Sequence, residues 1–130
     1  MMRRMPIVYL SAALLAAHAA AAPAPVTVTD GDSGRTIELA TGQELRLELA
    51  ANRSTGYAWE WVDRDASVVA LLGEPTYTAP SSGALGAGGT ATWRFRAERP
   101  GSSRLRLVYR RAWEHGAEPA RTLTLTLRVR

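Results

Sequence analysis

Between Glu44 and Leu49 every second residue is leucine, with Leu45, Leu47 and Leu49 set against Glu44, Arg46 and Glu48. A period of two puts all three leucines on one face of an extended chain and all three charges on the other, so the segment is a strand buried on one side. The same pattern returns along the chain. Val26–Thr29 and the run through Ile37 and Leu39 are short versions of it; Tyr57, Trp59 and Trp61 repeat it with aromatic rings. Ala91, Trp93, Phe95 and Ala97 carry it further, then Leu105, Leu107 and Tyr109, and finally Leu123, Leu125, Leu127 and Val129. Val68–Leu72 and Thr76–Thr78 read as an irregular strand interrupted by Gly73 and Pro75. Past the first two dozen residues no segment has a helical period. Strands that each bury one face, separated by turns, pack as two sheets. The expected fold is all-β: an immunoglobulin-like antiparallel β-sandwich of one domain.

Successive strands that reverse direction sort the connections to two ends. On that count the loops 51–56, 79–89 and 111–120 share one end, and the short turns 63–67 and 98–102 share the other. The three loops differ in chemistry. Asn52, Arg53, Ser54, Thr55 and Gly56 form a polar turn running straight into the aromatic strand. Gly86, Ala87, Gly88 and Gly89 let backbone approach a partner closely. Arg111, Ala112 and Trp113 set a cation near a large ring. Loops of this kind on a rigid sandwich make a composite binding surface.

The chain of 130 residues opens on a segment of different character. Arg3 and Arg4 precede an apolar run from Pro6 to Ala17 that is too short to span a bilayer, and Ala19–Ala22 offers small-residue cleavage sites. Residues 1–21 are expected to be a signal peptide cut near Ala20 or Ala21, leaving a domain of residues 22–130 that acts in the periplasm or outside the cell. No cysteine occurs, which excludes disulfides, a thiolate nucleophile and a lipidated cysteine after the leader. Without Arg3 and Arg4 the basic residues fall from 16 to 14 against 12 acidic ones, a small excess of +2.

With the three loops in place, the sequence resembles the chagasin-type inhibitors of papain-like cysteine peptidases. That family carries an N-P-T-T-G-[YF]-x-W motif, a G-x-G-G motif and an R-P-[WF] motif, in that order. This chain reads N-R-S-T-G-Y-A-W at 52–59, G-A-G-G at 86–89 and R-A-W at 111–113. The resemblance implies an inhibitor that occludes the peptidase cleft. Its first loop would enter around Ser54 and Thr55, the other two would clamp the walls, and Trp113 would pack on the enzyme with Arg111 nearby. It implies a monomer with no catalytic residues, no metal and no cofactor. Both motif prolines are replaced, by Arg53 and Ala112. Losing them is expected to leave the loops less preorganised by about 0.4–1 kcal/mol each.

Other readings of the same residues are blander. Trp59, Trp61, Trp93 and Phe95 fall on inward strand positions and read as core, whereas Trp113 lies in a polar loop and reads as an exposed contact. Arg94, Arg96, Arg104, Arg106, Arg110, Arg128 and Arg130 alternate with core positions and read as solvated strand faces. They carry no interleaved aromatics of the kind that bind nucleic acid. His115, flanked by Glu114 and Glu118, lacks the spacing of a metal site or a catalytic triad. The alternative function is an exported sandwich that binds carbohydrate or a cell-surface protein through the same loops.

Overall fold

The computed structural model describes residues 3, 4, 6, 23–81, 88–114 and 116–130. The leader expected over residues 1–21 lies almost wholly outside the described residues, as do Gly86, Ala87 and His115. Among the described residues nine strands follow one another: β1 Val26–Thr29, β2 Thr36–Leu39, β3 Glu44–Ala51, β4 Tyr57–Val62, β5 Val69–Leu71, β6 Thr76–Thr78, β7 Gly89–Ala97, β8 Gly101–Arg111 and β9 Arg121–Val129. They form two sheets. One has the order β1-β3-β7-β5, with β6 also on β7, and the other the order β2-β9-β8-β4.

The alternation that defines β3 sets the register of the first sheet. Leu45 lies opposite Phe95, Leu47 opposite Trp93 and Leu49 opposite Ala91. In the second sheet Leu105 faces Leu125 and Leu107 faces Leu123 across β8 and β9, while Trp61 faces Leu107 across β4 and β8. A slip of one residue would turn every one of these side chains to solvent. Leu45, Leu47, Leu49, Phe95, Leu107, Leu125 and Leu127 are fully buried, and each contributes about 1.5–3 kcal/mol relative to exposure. The Trp61 ring meets Phe95 edge-on at 5.2 Å, and Trp93 stacks on Phe95 at 6.4 Å. The indole nitrogens of Trp61 and Trp93 have no acceptor among the described residues. Leaving such a group unpaired costs about 1–3 kcal/mol, which the apolar burial of so large a ring offsets.

The arginines expected on outward faces are there, four of them paired. Arg94 pairs with Glu44, Arg106 with Asp63 at 3.2 Å, Arg110 with Glu60 at 2.9 Å and Arg130 with Glu38 at 2.6 Å. Exposed pairs of this kind contribute about 0–1 kcal/mol each.

The sandwich is not wholly antiparallel. β1 runs parallel to β3, and β2 parallel to β9. The reason lies at Asp30–Asp32, a 3-10 turn that carries the chain from one sheet to the other instead of closing a hairpin. Thr29 donates its backbone N–H to the Asp32 carboxylate at 3.0 Å, and Gly34, at φ 90°, donates to the Thr124 carbonyl on β9 at 2.6 Å. β1 and β2 thus become outer strands of different sheets, each beside a strand of its own direction.

The strand order brings the three loops together. Ala51, the last residue of β3, pairs with Gly89, the first of β7, and Tyr57, the first of β4, pairs with Arg111, the last of β8. The connections after β3, before β7 and after β8 therefore leave the sandwich from the same end.

Candidate functional site

The first loop is built from its own side chains. Asn52 caps a 3-10 turn over Arg53–Thr55, and its side-chain oxygen accepts from the Ser54 N–H at 3.1 Å and the Ser54 hydroxyl at 2.6 Å. The Thr55 hydroxyl donates back to the Asn52 carbonyl at 2.8 Å. Gly56 ends the turn at φ 76°, in the left-handed region. Arg53, Ser54, Thr55 and Gly56 are all exposed, so a loop closed on itself projects its outer surface into solvent.

Beneath the loop lies a group that sequence reasoning assigned to the core. The Tyr109 hydroxyl accepts the Asn52 N–H at 2.9 Å. Its ring stacks on Tyr57 at 5.3 Å and tilts against Trp59 at 5.1 Å, and the Trp59 indole donates to the Ala50 carbonyl at 3.0 Å. The entry to the loop is pinned to two aromatic strands of the opposite sheet. A tyrosine closing a run of buried leucines, one residue before a loop-end arginine pair, is the signal that points to it: the ring belongs with the core and the hydroxyl needs a partner.

The third loop folds back over the first. Arg111 at the end of β8 donates to the Thr55 carbonyl at 3.3 Å, stacks its guanidinium over Tyr57 at 4.6 Å and pairs with Glu114 at 3.3 Å. Ala112 and Trp113 follow in an exposed turn, with Trp113 66 % exposed, the one large hydrophobic so exposed among the described residues. Its ring lies against Gly56: a Cβ there would sit 2.6 Å from the Trp113 ring edge. Gly56 is thus required twice, for its backbone angle and for the ring above it.

Of the second loop, Gly88 and Gly89 are described. A Cβ on Gly88 would meet the Ala51 carbonyl at 3.5 Å, beside the first loop. One on Gly89 would fall 2.2 Å from the Thr78 carbonyl and 2.6 Å from the Tyr77 hydroxyl, so glycine is what allows β6 to close on β7. Tyr77 also carries the Arg53 guanidinium 4.4 Å above its ring. Arg53 and Arg111, one in a lost proline's place and the other beside one, tie the first loop to its neighbours on either side. Asn52, Arg53, Ser54, Thr55, Gly56, Gly88, Gly89, Arg111, Ala112 and Trp113 make one continuous end of the molecule; Tyr109, Tyr57, Tyr77 and Glu114 support it from below.

This chain belongs to the chagasin family of peptidase inhibitors, I42, whose sequence profile matches residues 38–127. It is 28 % identical over 105 residues to chagasin of Trypanosoma cruzi, spanning 78 % of this chain and 96 % of that protein. Its fold is similar to the crystal structure of EhICP2, a cysteine protease inhibitor of Entamoeba histolytica, with a TM-score of 0.74 and 28 % identity over 82 % of this chain and 96 % of that one. A likeness of fold, at 14 % identity and a TM-score of 0.59 over 83 % of this chain and 100 % of that one, extends to PbICP-C, solved in complex with falcipain-2. The family is one of inhibitors, not of enzymes.

Proposed function

We propose that the loop end of this sandwich plugs the active-site cleft of a papain-like cysteine peptidase, with Ser54 and Thr55 at the catalytic cysteine. Gly86, Ala87, Gly88 and Gly89 lie along one wall, and Arg111, Ala112 and Trp113 along the other. The observation that carries this reading is the closed first loop. A peptidase cleft takes substrate as extended backbone, whereas residues 53–55 are coiled in a 3-10 turn and stitched to Asn52 through both its carbonyl and its side chain. No scissile bond is presented in the geometry that cleavage needs. The loop also loses little freedom on binding, because it is already ordered.

Trp113 supports the reading from the other side. An exposed indole braced on Gly56 is an unfavourable arrangement in water and a suitable one for an interface, where Trp and Arg dominate binding energy. The leader over residues 1–21 would deliver the domain of residues 22–130 to the periplasm or the exterior, there to meet peptidases of the same cell or of others. The domain acts as a monomer, without metal or cofactor.

The test is a titration of papain and of a serine peptidase with the purified chain. Stoichiometric, reversible loss of papain activity, with the chain recovered uncut and the serine enzyme unaffected, is the expected result. A folded chain that leaves papain active at micromolar concentration overturns the proposal.

A further inference from the structure

We infer that Arg53 makes this inhibitor selective for papain-like peptidases with an aspartate or glutamate on the rim of the cleft, opposite the first loop. The inference rests on the placement of that loop in the cleft proposed above. Arg53 sits where the family's motif has proline, and among the described residues no hydrogen bond or ion pair engages its side chain. It is the first residue of the 3-10 turn, a position that proline suits, and its N–H makes no hydrogen bond among the described residues. What the side chain does make is a stacking interaction, with the guanidinium 4.4 Å above the Tyr77 ring. Stacking fixes the plane of the guanidinium and leaves its N–H edge free, which is the geometry that receives a carboxylate through two parallel hydrogen bonds.

The charges around it strengthen the case. Each other arginine at this end already has a carboxylate: Arg110 has Glu60, Arg111 has Glu114 and Arg121 has Asp30. Arg53 has none among the described residues, and none of the remaining residues is Asp or Glu. The second loop, 79–89, carries no charge at all. An exposed, oriented and unpaired cation in a loop that is to be covered by a partner must find an acceptor there, since desolvating it against a neutral or basic surface is costly. The partner that fits presents a carboxylate, and peptidases without one are bound less well.

The experiment measures association rates and inhibition constants of the full chain and of Arg53→Gln and Arg53→Glu against two papain-like peptidases, one with an acidic cleft rim and one without. Each pairing is run at about 0.05 M and about 0.5 M salt, which bracket the screening of an exposed pair. The expected result is that Arg53→Gln lowers the preference for the acidic-rim enzyme by about tenfold at low salt. Arg53→Glu lowers it further, and high salt reduces both effects. Changing the rim carboxylate to its amide should abolish most of the difference between wild type and Arg53→Gln. If the unaltered chain inhibits but neither Arg53 substitution shifts the preference at either salt, this inference is overturned and the cleft-plugging reading stands. If the unaltered chain inhibits neither enzyme, both are overturned.

Discussion

The hydroxyl of Tyr109 accepts the backbone N–H of Asn52 at 2.9 Å, joining the end of β8 to the start of the 51–56 loop across the two sheets. Tyr109→Phe keeps the ring that stacks on Tyr57 and removes the acceptor. The expected outcome is a stability loss of about 1 kcal/mol, together with weaker inhibition because the loop entry is no longer fixed. Thermal unfolding and papain titration of the one variant check both.

Trp113 and Trp59 should respond oppositely to truncation. Trp59 is buried and bonded to Ala50, so Trp59→Ala is expected to destabilise the fold by about 3–5 kcal/mol. Trp113→Ala removes an exposed ring and should leave the thermal midpoint nearly unchanged while weakening inhibition by about thirtyfold, or about 2 kcal/mol. Unfolding of Trp113→Ala, or undiminished inhibition by it, would remove Trp113 from the contact surface.

Gly56→Ala tests the bracing of that ring. The substitution places a methyl at 2.6 Å from the indole edge and a side chain at φ 76°. Inhibition should fall toward the level of Trp113→Ala, with an added stability loss of about 1 kcal/mol from the backbone. Inhibition equal to wild type would mean that Trp113 does not depend on Gly56 for its position.

Ala112 is exposed, and its N–H makes no bond among the described residues, so Ala112→Pro should be accommodated. If the turn angle suits proline, the third loop is preorganised by about 0.4–1 kcal/mol and inhibition tightens by about twofold to fivefold. An unchanged or raised inhibition constant would show that the Arg111–Glu114 pair already fixes the turn.

Two carboxylates contribute to the acid sensitivity of the fold. Asp32 is held below the ordinary 3.8, first by the Thr29 N–H and then by Arg35. Asp65 is lowered first by Ser67, through its hydroxyl and N–H, and further by the Ser103 hydroxyl. Because both are lowered in the folded chain, their contribution to stability is present above 3.8 and is lost as pH falls below it. The thermal midpoint should therefore decline below that pH, and in Ser103→Ala, which removes one donor to Asp65, the part of the decline due to Asp65 should be smaller and end at a higher pH.

Much of this architecture is legible in the sequence because period-two alternation is a local signal. Leu45, Leu47 and Leu49 announce β3, and Leu123, Leu125 and Leu127 announce β9, with no knowledge of what they pair with. The clustering of the loops follows from counting reversals. The parallel edges do not follow, because the direction of β1 and β2 depends on how Asp30–Asp32 carries the chain between sheets, a choice that four-residue strands do not encode. In the site, Asn52, Gly56 and Trp113 stand out through turn chemistry and an aromatic out of register with any strand. Tyr77 does not, since it reads as one more strand residue until the fold brings it under Arg53, and Tyr109 is marked only as a hydroxyl in need of a partner, which the fold supplies in Asn52. The loops expected to be slack without their prolines are instead linked by Arg53 on Tyr77 and Arg111 on Tyr57.

The central claim is that one end of the sandwich enters the peptidase, and backbone hydrogen exchange of the chain with and without papain tests it most directly. The expected result is protection confined to residues 52–56, 86–89 and 111–113, with the turns 63–67 and 98–102 at the far end exchanging as in the free chain. Protection centred on those far turns, or no protection at concentrations that saturate inhibition, would contradict the account.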